Sequence, residues 1–347
     1  MDASLSVGGG SVGAVVKIGV VIPAYDAERY VADCLDSLLA QTQGNFVAYV
    51  MDDGSRDGTR AAIESYARRD PRIRLWHQEN QGLVRTLNAL LDRLDDDIEA
   101  VAFLDIDDFI HPEMFAILED ALVRSGADVA ECRVVRVAAT DHPGVWAARP
   151  SPSSDYEEVD PSCYWLKRTS PSGWINKQNK LYRRAAIGNL RFRTTLSYED
   201  DNFFASELNA QIRRKVRLAA ELYAYRRNPS SATSVVPFRK YVEATLERIR
   251  LSCEVFLNAG RVPPAVRAEY VDDLSKDAYR MCLRKNLKKN ADASERRALF
   301  LSAGAALARL AREEGFSPTG LNLVQSLVWT ASRRGWYALA RLLVWLT

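Results

Sequence analysis

Residues 101–115 read VAFLDIDDFIHPEMF. Four apolar residues, Val101 to Leu104, run straight into three carboxylates, Asp105, Asp107 and Asp108. The apolar run reads as a buried strand. Like charges crowded at the end of such a strand repel each other, and a low-dielectric edge magnifies the repulsion. Two readings account for them. One is a solvated turn whose Asp residues cap a helix starting near His111-Pro112-Glu113; the other is a cation site.

Around this stretch, short apolar runs alternate with helical patterns from Lys17 to Val137. Strands are predicted at 17–23, 46–52, 72–78, 100–106 and 128–137, and helices at 28–42, 57–69, 82–94 and 112–125. The first helix shows the spacing clearly, with Tyr30, Cys34, Leu35, Leu38 and Leu39 on one face. Such alternation implies an α/β fold, a mostly parallel sheet flanked by helices. Ligands of such sheets bind beyond the carboxyl ends of the strands. That rule singles out Pro23-Ala24-Tyr25-Asp26, Asp52-Asp53-Gly54-Ser55 and Asp105-Ile106-Asp107-Asp108.

Residues 138–171 are rich in Pro and Ser and read as irregular connection. Order returns at GWINKQNKLYRRAAI (173–187) and LSYEDDNFFASEL (196–208), and 216–227 reads as a last strand. After Pro237 the chain turns to helical patterns rich in Arg, Lys, Leu and Ala. Three segments are therefore expected: a flexible tail at 1–16, a catalytic domain at 17–235 and a helical region at 236–347.

Composition narrows the function classes. The 347 residues are 47% hydrophobic and 27% charged with a net charge of +2, which gives no electrostatic footprint for nucleic acid. Five scattered cysteines without a CxxC pair fit a reducing compartment. Three histidines make a His-rich zinc site a poor fit. No run reaches the ~18 apolar residues of a membrane-spanning helix, and the Gly/Ser-rich start is no signal peptide. A cytoplasmic location is expected. The last 25 or so residues mix Trp329, Trp336, Tyr337 and Trp345 with Arg333, Arg334 and Arg341. They read as an interfacial helix touching the cytoplasmic face of a membrane, or as a helix packed on its own domain or on a second copy in a homo-oligomer.

MDDGSRDGT (51–59) follows a strand and opens a helix. Asp57 and its neighbours suit capping, whereas Asp52 and Asp53 precede the caps and suit hydrogen bonds to a base or ribose. The Gly-rich devices GxxxxGK[ST] and GxGxxG are both missing. Any bound nucleoside diphosphate therefore needs Mn2+ or Mg2+, whose preferred ligands are carboxylate and phosphate oxygens. A third acidic group, Glu199-Asp200-Asp201, reads either as an acidic first helical turn or as a general base among like charges.

Taken together, VVIPAYDAERYVADCLDSLLAQT, VMDDGSRDGT, HQENQGLVRTLNALL and FLDIDDFIHPEMF resemble family 2 of the glycosyltransferases in order and spacing. The resemblance is close over 17–130 and looser to about 228. It implies the GT-A fold, a Rossmann-like sheet, and transfer of a sugar with inversion from a nucleotide-sugar, a UDP-sugar being the commoner donor. It also implies a hydroxyl acceptor on a glycan, a lipid-linked sugar or a cell-surface polymer. Pro23, Tyr25 and Asp53 would line the nucleotide pocket, with Asp52 beside them. Asp105 and Asp107 match the DxD motif, Asp105 on the ribose or sugar side and Asp107 on the metal, with Asp108 as an optional third ligand. Asp200 matches the catalytic base. Trp174, Asn176 and Lys180 match a segment near the acceptor. The family's Arg-Asn is replaced by Leu87 and Asn88, with Arg85 as a nearby substitute cation. The QxxRW motif of processive members is missing, which points away from a polymer synthase. A nucleotidyltransferase of similar fold and a non-catalytic nucleotide-sugar or glycan-binding module remain as alternatives.

Overall fold

β1 (Ile18–Ala24) and β2 (Phe46–Asp52) are buried along their whole length, as strands covered on both faces must be. The computed structural model describes residues 15–148, 151–160, 176–194, 200–228 and 238–258, with isolated helical positions beyond these. β1 pairs in parallel with β2 and with β4 (Ala100–Phe103), and β2 pairs in parallel with β3 (Ile73–His77). Between them run α1 (Val31–Leu39), α2 (Thr59–Ala67) and α3 (Leu83–Leu91). α1 turns Val31, Cys34, Leu35 and Leu38 into the core. Each fully buried Val, Leu or Ile contributes about 1.5–3 kcal/mol, so the apolar stripe outweighs the modest propensity of a nine-residue helix.

The register places the strand ends together. Ala24 faces Asp52 across β1 and β2, Asp52 faces His77 across β2 and β3, and Val21 faces Phe103 across β1 and β4. Residues 24–26, 52–55 and 104–108 therefore emerge at one edge of the sheet.

Beyond β4 the sheet is mixed rather than mostly parallel. The order is β3-β2-β1-β4-β8-β6-β9-β5, with β7 (Tyr156–Val159) on β9. β8 (Lys180–Arg183) enters antiparallel between β4 and β6 (Val129–Val137). β9 (Lys215–Arg226) runs parallel to β6 and antiparallel to the two-residue β5 (Phe109–Ile110). Four residues of KLYRR make the difference, and so short a run has no readable period in the sequence. α4 (Met114–Ser125) packs on β6, and the short α5 (Arg184–Ile187) follows β8. α6 (Asp200–Gln211) and α7 (Phe238–Asn258) pack on each other. The expected domain boundary at 235, residues 1–14 of the tail expected at 1–16 and the tryptophan-rich C-terminus lie outside the described residues, while Val16, the last residue of that tail, is buried in the core. Among the described residues no helix is long and apolar enough to cross a membrane.

Candidate active site

At the edge of the sheet, hydrogen bonds lace the ends of β1 and β2 together. The Asp53 amide donates to Ala24 O at 2.8 Å. Asp26 has a left-handed φ of 43°; its amide donates to Ser55 Oγ and its carboxylate accepts from the Arg56 amide. The amides of Ala27 and Glu28 donate to Thr59 Oγ1 and Asp57 Oδ2. Gly54 has a φ of 76°, and a Cβ there would stand 2.7 Å from the Asn80 amide nitrogen, so this turn requires glycine. Tyr25 is exposed, and its hydroxyl accepts from the Arg56 guanidinium. Pro23 is buried in β1.

Asp52 and Asp53 are both buried. Asp52 is fully hidden, with Oδ2 2.7 Å from His77 Nδ1 and Oδ1 accepting from the Ser55 amide. It ties β2 to β3 and does not line an open pocket, a correction to the sequence expectation. Asp53 accepts from Gln78 Nε2 at 2.8 Å and from the amides of Gln81 and Gly82 at 2.9 Å each. It thereby shapes the loop entering α3. Arg85 is exposed on the first turn of α3. Leu87 is buried, and Asn88 pairs with the Phe192 backbone in both directions.

The three acids of the opening stretch separate by role. Asp108 is 1% exposed, accepting from Tyr223 Oη at 2.7 Å and from the Arg226 amide at 2.8 Å. Both oxygens are committed to β9, so the third-ligand expectation for Asp108 does not fit. Burial, then the charges of Asp107 and Asp105, push its carboxyl well above the usual range. Asp105 faces Lys177 and Gln178. Asp107 is half-buried, accepts from Asn228 Nδ2 at 3.1 Å, and forms no ion pair among the described residues. Burial, then the Asp105 charge, raise its carboxyl. A bound cation would supply the positive charge that Asp107 lacks, so the carboxylate fits a divalent metal. Among the described residues no three acidic, His or Cys side chains converge as a ready-made metal cluster. The protein share of such a site is therefore small, leaving room for phosphate oxygens.

Aromatic packing sets the position of α6. Phe103, two residues before Asp105, meets Tyr182, Phe192 and Phe204 edge-on, and Phe192 stacks on Phe204 at 4.1 Å. Phe204, the second aromatic after the acidic triplet, thus anchors α6 under the end of β4. α6 begins at Asp200. The Asp200 side chain, Glu199 and Trp174 lie outside the described residues. Asp201 meets Lys177 at 3.1 Å. Burial raises its carboxyl, opposed by the Lys177 ammonium.

Lys177 was missed by sequence reasoning, Asp201 entered only as a member of the acidic triplet, and Lys180 was assigned to the acceptor side. Lys180 is instead 4% exposed and donates to Asn176 O, Asn176 Oδ1, Gln178 O and Asn179 Oδ1. Its ammonium organises the loop from inside. The available signal was two lysines in the short stretch NKQNKLY, yet charge alone reads as surface. A cavity of ≈ 590 Å³ lined by Leu94, Ile98, Val101, Arg184 and Ile187 opens at the opposite end of β4, away from these acids.

With this geometry in place, comparison with known proteins decides the family. The model of "Glycosyl transferase family 2" matches residues 19–196, more than half of the chain. The chain belongs to glycosyl transferase family 2. That membership makes it a transferase with an α/β sheet flanked by helices. It is 27% identical over 238 residues to the protein described as the uncharacterized glycosyltransferase EpsJ of Bacillus subtilis, covering 67% of each chain. It is 28% identical to the glycosyltransferase GlyA of Streptococcus pneumoniae, covering 68% of this chain and 34% of that one. The crystal structures of S. aureus TarS residues 1–349 with UDP and with UDP-GlcNAc share the fold. Both have a TM-score of 0.72, at 18% and 19% identity, over 95% of this chain and 90% of theirs.

Proposed function

We propose that the chain is an inverting, cation-dependent glycosyltransferase. It moves a sugar from a nucleoside diphosphate sugar to a hydroxyl of a glycan or lipid-linked acceptor. One observation carries this reading: Tyr25, Asp53, Asp105 and Asp107 emerge at one edge of the sheet, and α6 is anchored there with Asp200 at its first position. UDP is the favoured nucleotide, because TarS, of the same fold, is solved with UDP and UDP-GlcNAc.

Tyr25, Pro23 and the Asp53-shaped loop receive the base and ribose. Arg85 is exposed one turn away from that loop and offers a cation to the phosphates. Asp107 holds Mn2+ or Mg2+, with Asp105 toward the sugar. The bound cation supplies Lewis-acid stabilisation of the departing diphosphate. Asp200 takes the proton from the acceptor hydroxyl as that oxygen attacks the anomeric carbon from the face opposite the leaving group. Residues 17–235 form the catalytic unit, and α7 braces it through its contact with α6.

A thermal-shift screen of nucleoside diphosphates and their sugars, with and without manganese, tests the donor. Stabilisation by a UDP-sugar that depends on manganese is expected. Stabilisation by nucleoside triphosphates alone would favour a nucleotidyltransferase instead. Donor binding without any transfer or hydrolysis would favour a binding module.

A further inference from the structure

Lys177 is 1% exposed, yet it carries a long charged side chain. Residues of this type are almost never fully buried without partners. Its ammonium stands 3.1 Å from Asp105 Oδ1 and 3.1 Å from Asp201 Oδ2. Gln178 Nε2 also donates to Asp105 Oδ2. The two carboxylates come from different elements: Asp105 from the end of β4, where the donor is received, and Asp201 from the first turn of α6.

The loop that presents Lys177 is held at several points. Lys180 anchors it from within through four oxygens. Tyr182 Oη donates to Lys177 O at 2.9 Å, and the Cys132 amide donates to Asn179 O at 3.0 Å. Asn179 sits at a φ of 57°, a left-handed conformation that asparagine tolerates better than most residues. A simple counter-ion for Asp105 needs no such scaffold, since an exposed lysine would do. The scaffold fixes where the ammonium is, and the ammonium in turn fixes the distance between the end of β4 and the start of α6.

We infer that Lys177 is a positioning residue for the transfer. It ties Asp105 to Asp201 and so holds the base-bearing turn of α6 at a set distance from the donor. The inference rests on the proposed donor and base sites. Lys177 touches neither sugar nor nucleotide in this role. It acts through geometry, and a misplacement of about 1 Å between reacting groups costs up to roughly 100-fold in rate.

A double-mutant cycle tests it, with Lys177→Met, Asp201→Leu and the pair compared to the native chain. Each single variant is expected to lower kcat by roughly 10- to 100-fold with KM for the donor nearly unchanged. The pair should be no slower than the slower single, because both break the same tie. Multiplying losses, a loss confined to KM, or a folded Lys177→Met variant of native kcat would each overturn the inference. Should Lys177→Met fail to fold, Lys177→Arg and Asp201→Leu carry the test. The arginine, which keeps the charge and both partners, should retain more activity than Asp201→Leu, and the reverse order overturns the tie. A second readout needs no turnover. Manganese titration of the nucleotide-free protein should show tighter binding in Lys177→Met, whose Asp105 has lost its ammonium, and unchanged affinity counts against the tie. A native chain that transfers no sugar at all refutes the proposed function, an outcome distinct from any of these.

Discussion

In the parallel half of the sheet the buried carboxylates find partners no more than 29 residues away. Asp52 meets Ser55 and His77, and Asp53 meets Gln78, Gln81 and Gly82. In the mixed half the partners are far away. Asp108 reaches Tyr223 and Arg226, Asp107 reaches Asn228, and buried Glu131 faces Lys215 from the neighbouring strand β9. The first half is satisfied by nearer segments, whereas the second is satisfied only after more distant ones arrive, which slows folding. The acids at 105–108 lie on the seam. Damage to the parallel half should therefore weaken donor binding, and damage at the seam or beyond should strike turnover.

The sharpest break is expected at the seam. Asp107→Ala should lower transfer by about 1000-fold or more, since a cation supplies several kcal/mol to the leaving group, and donor binding should lose its manganese dependence. Undiminished metal dependence, read by calorimetry, would remove Asp107 from the metal site. Next in size is Asp200→Asn, which cannot accept a proton. Turnover should fall by at least roughly 100-fold while donor and metal still bind, and the acidic limb of the kcat profile should vanish. Asp201→Asn should cost less, because Asn still offers an oxygen to Lys177. A dead Asp201→Asn beside an active Asp200→Asn would move the base by one residue.

Within the parallel half, Asp53→Ala leaves the Gln78 side chain and the amides of Gln81 and Gly82 without their acceptor. An unsatisfied buried donor costs about 1–3 kcal/mol. The donor KM should rise by about tenfold, the equivalent of about 1.4 kcal/mol, with kcat at saturation little changed. A collapsed kcat with native KM would reverse the contrast between the halves.

The smallest effect concerns Lys180, whose pKa burial lowers to about 8, with Glu131 opposing and Lys215 reinforcing the shift. Above pH 8 the folded chain releases this proton while the unfolded chain keeps it up to the ordinary lysine range. The unfolded state then binds more protons, so this group adds stability as pH rises. The gain is at most about 1.4 kcal/mol per pH unit. Burial raises the hydroxyls of Tyr182 and Tyr223 above their ordinary value, which works the other way once free tyrosine ionises near pH 10. Denaturant melts between pH 8 and 10 should show a slope that Lys180→Met lacks, and equal slopes would mean that the proton stays on Lys180.

The same division governs what was legible in the sequence. β2 has the bounds read from its apolar run, 46–52, and α1, α2 and α3 fall inside their predicted spans. Apolar periodicity is local information, and these elements are decided locally. β8 escaped because its place between β4 and β6 depends on residues about 50 and 80 positions earlier. Among the candidate site residues, Asp105 and Asp107 were legible as carboxylates at a strand end. Asp108 looked equivalent to them, and only β9, more than 100 residues later, assigns it to structure. Lys177 and Lys180 hid for the related reason that burial of a charge depends on partners no local window contains.

The three-way clamp on Asp53 has a thermodynamic consequence. The Gln81 and Gly82 amides donate to the Asp53 carboxylate, so their protons should exchange slowly with solvent. A pocket built in advance orders little chain on binding and loses little conformational entropy. The heat-capacity change for UDP should then match the surface the nucleotide covers, without the large extra negative part that coupled folding adds.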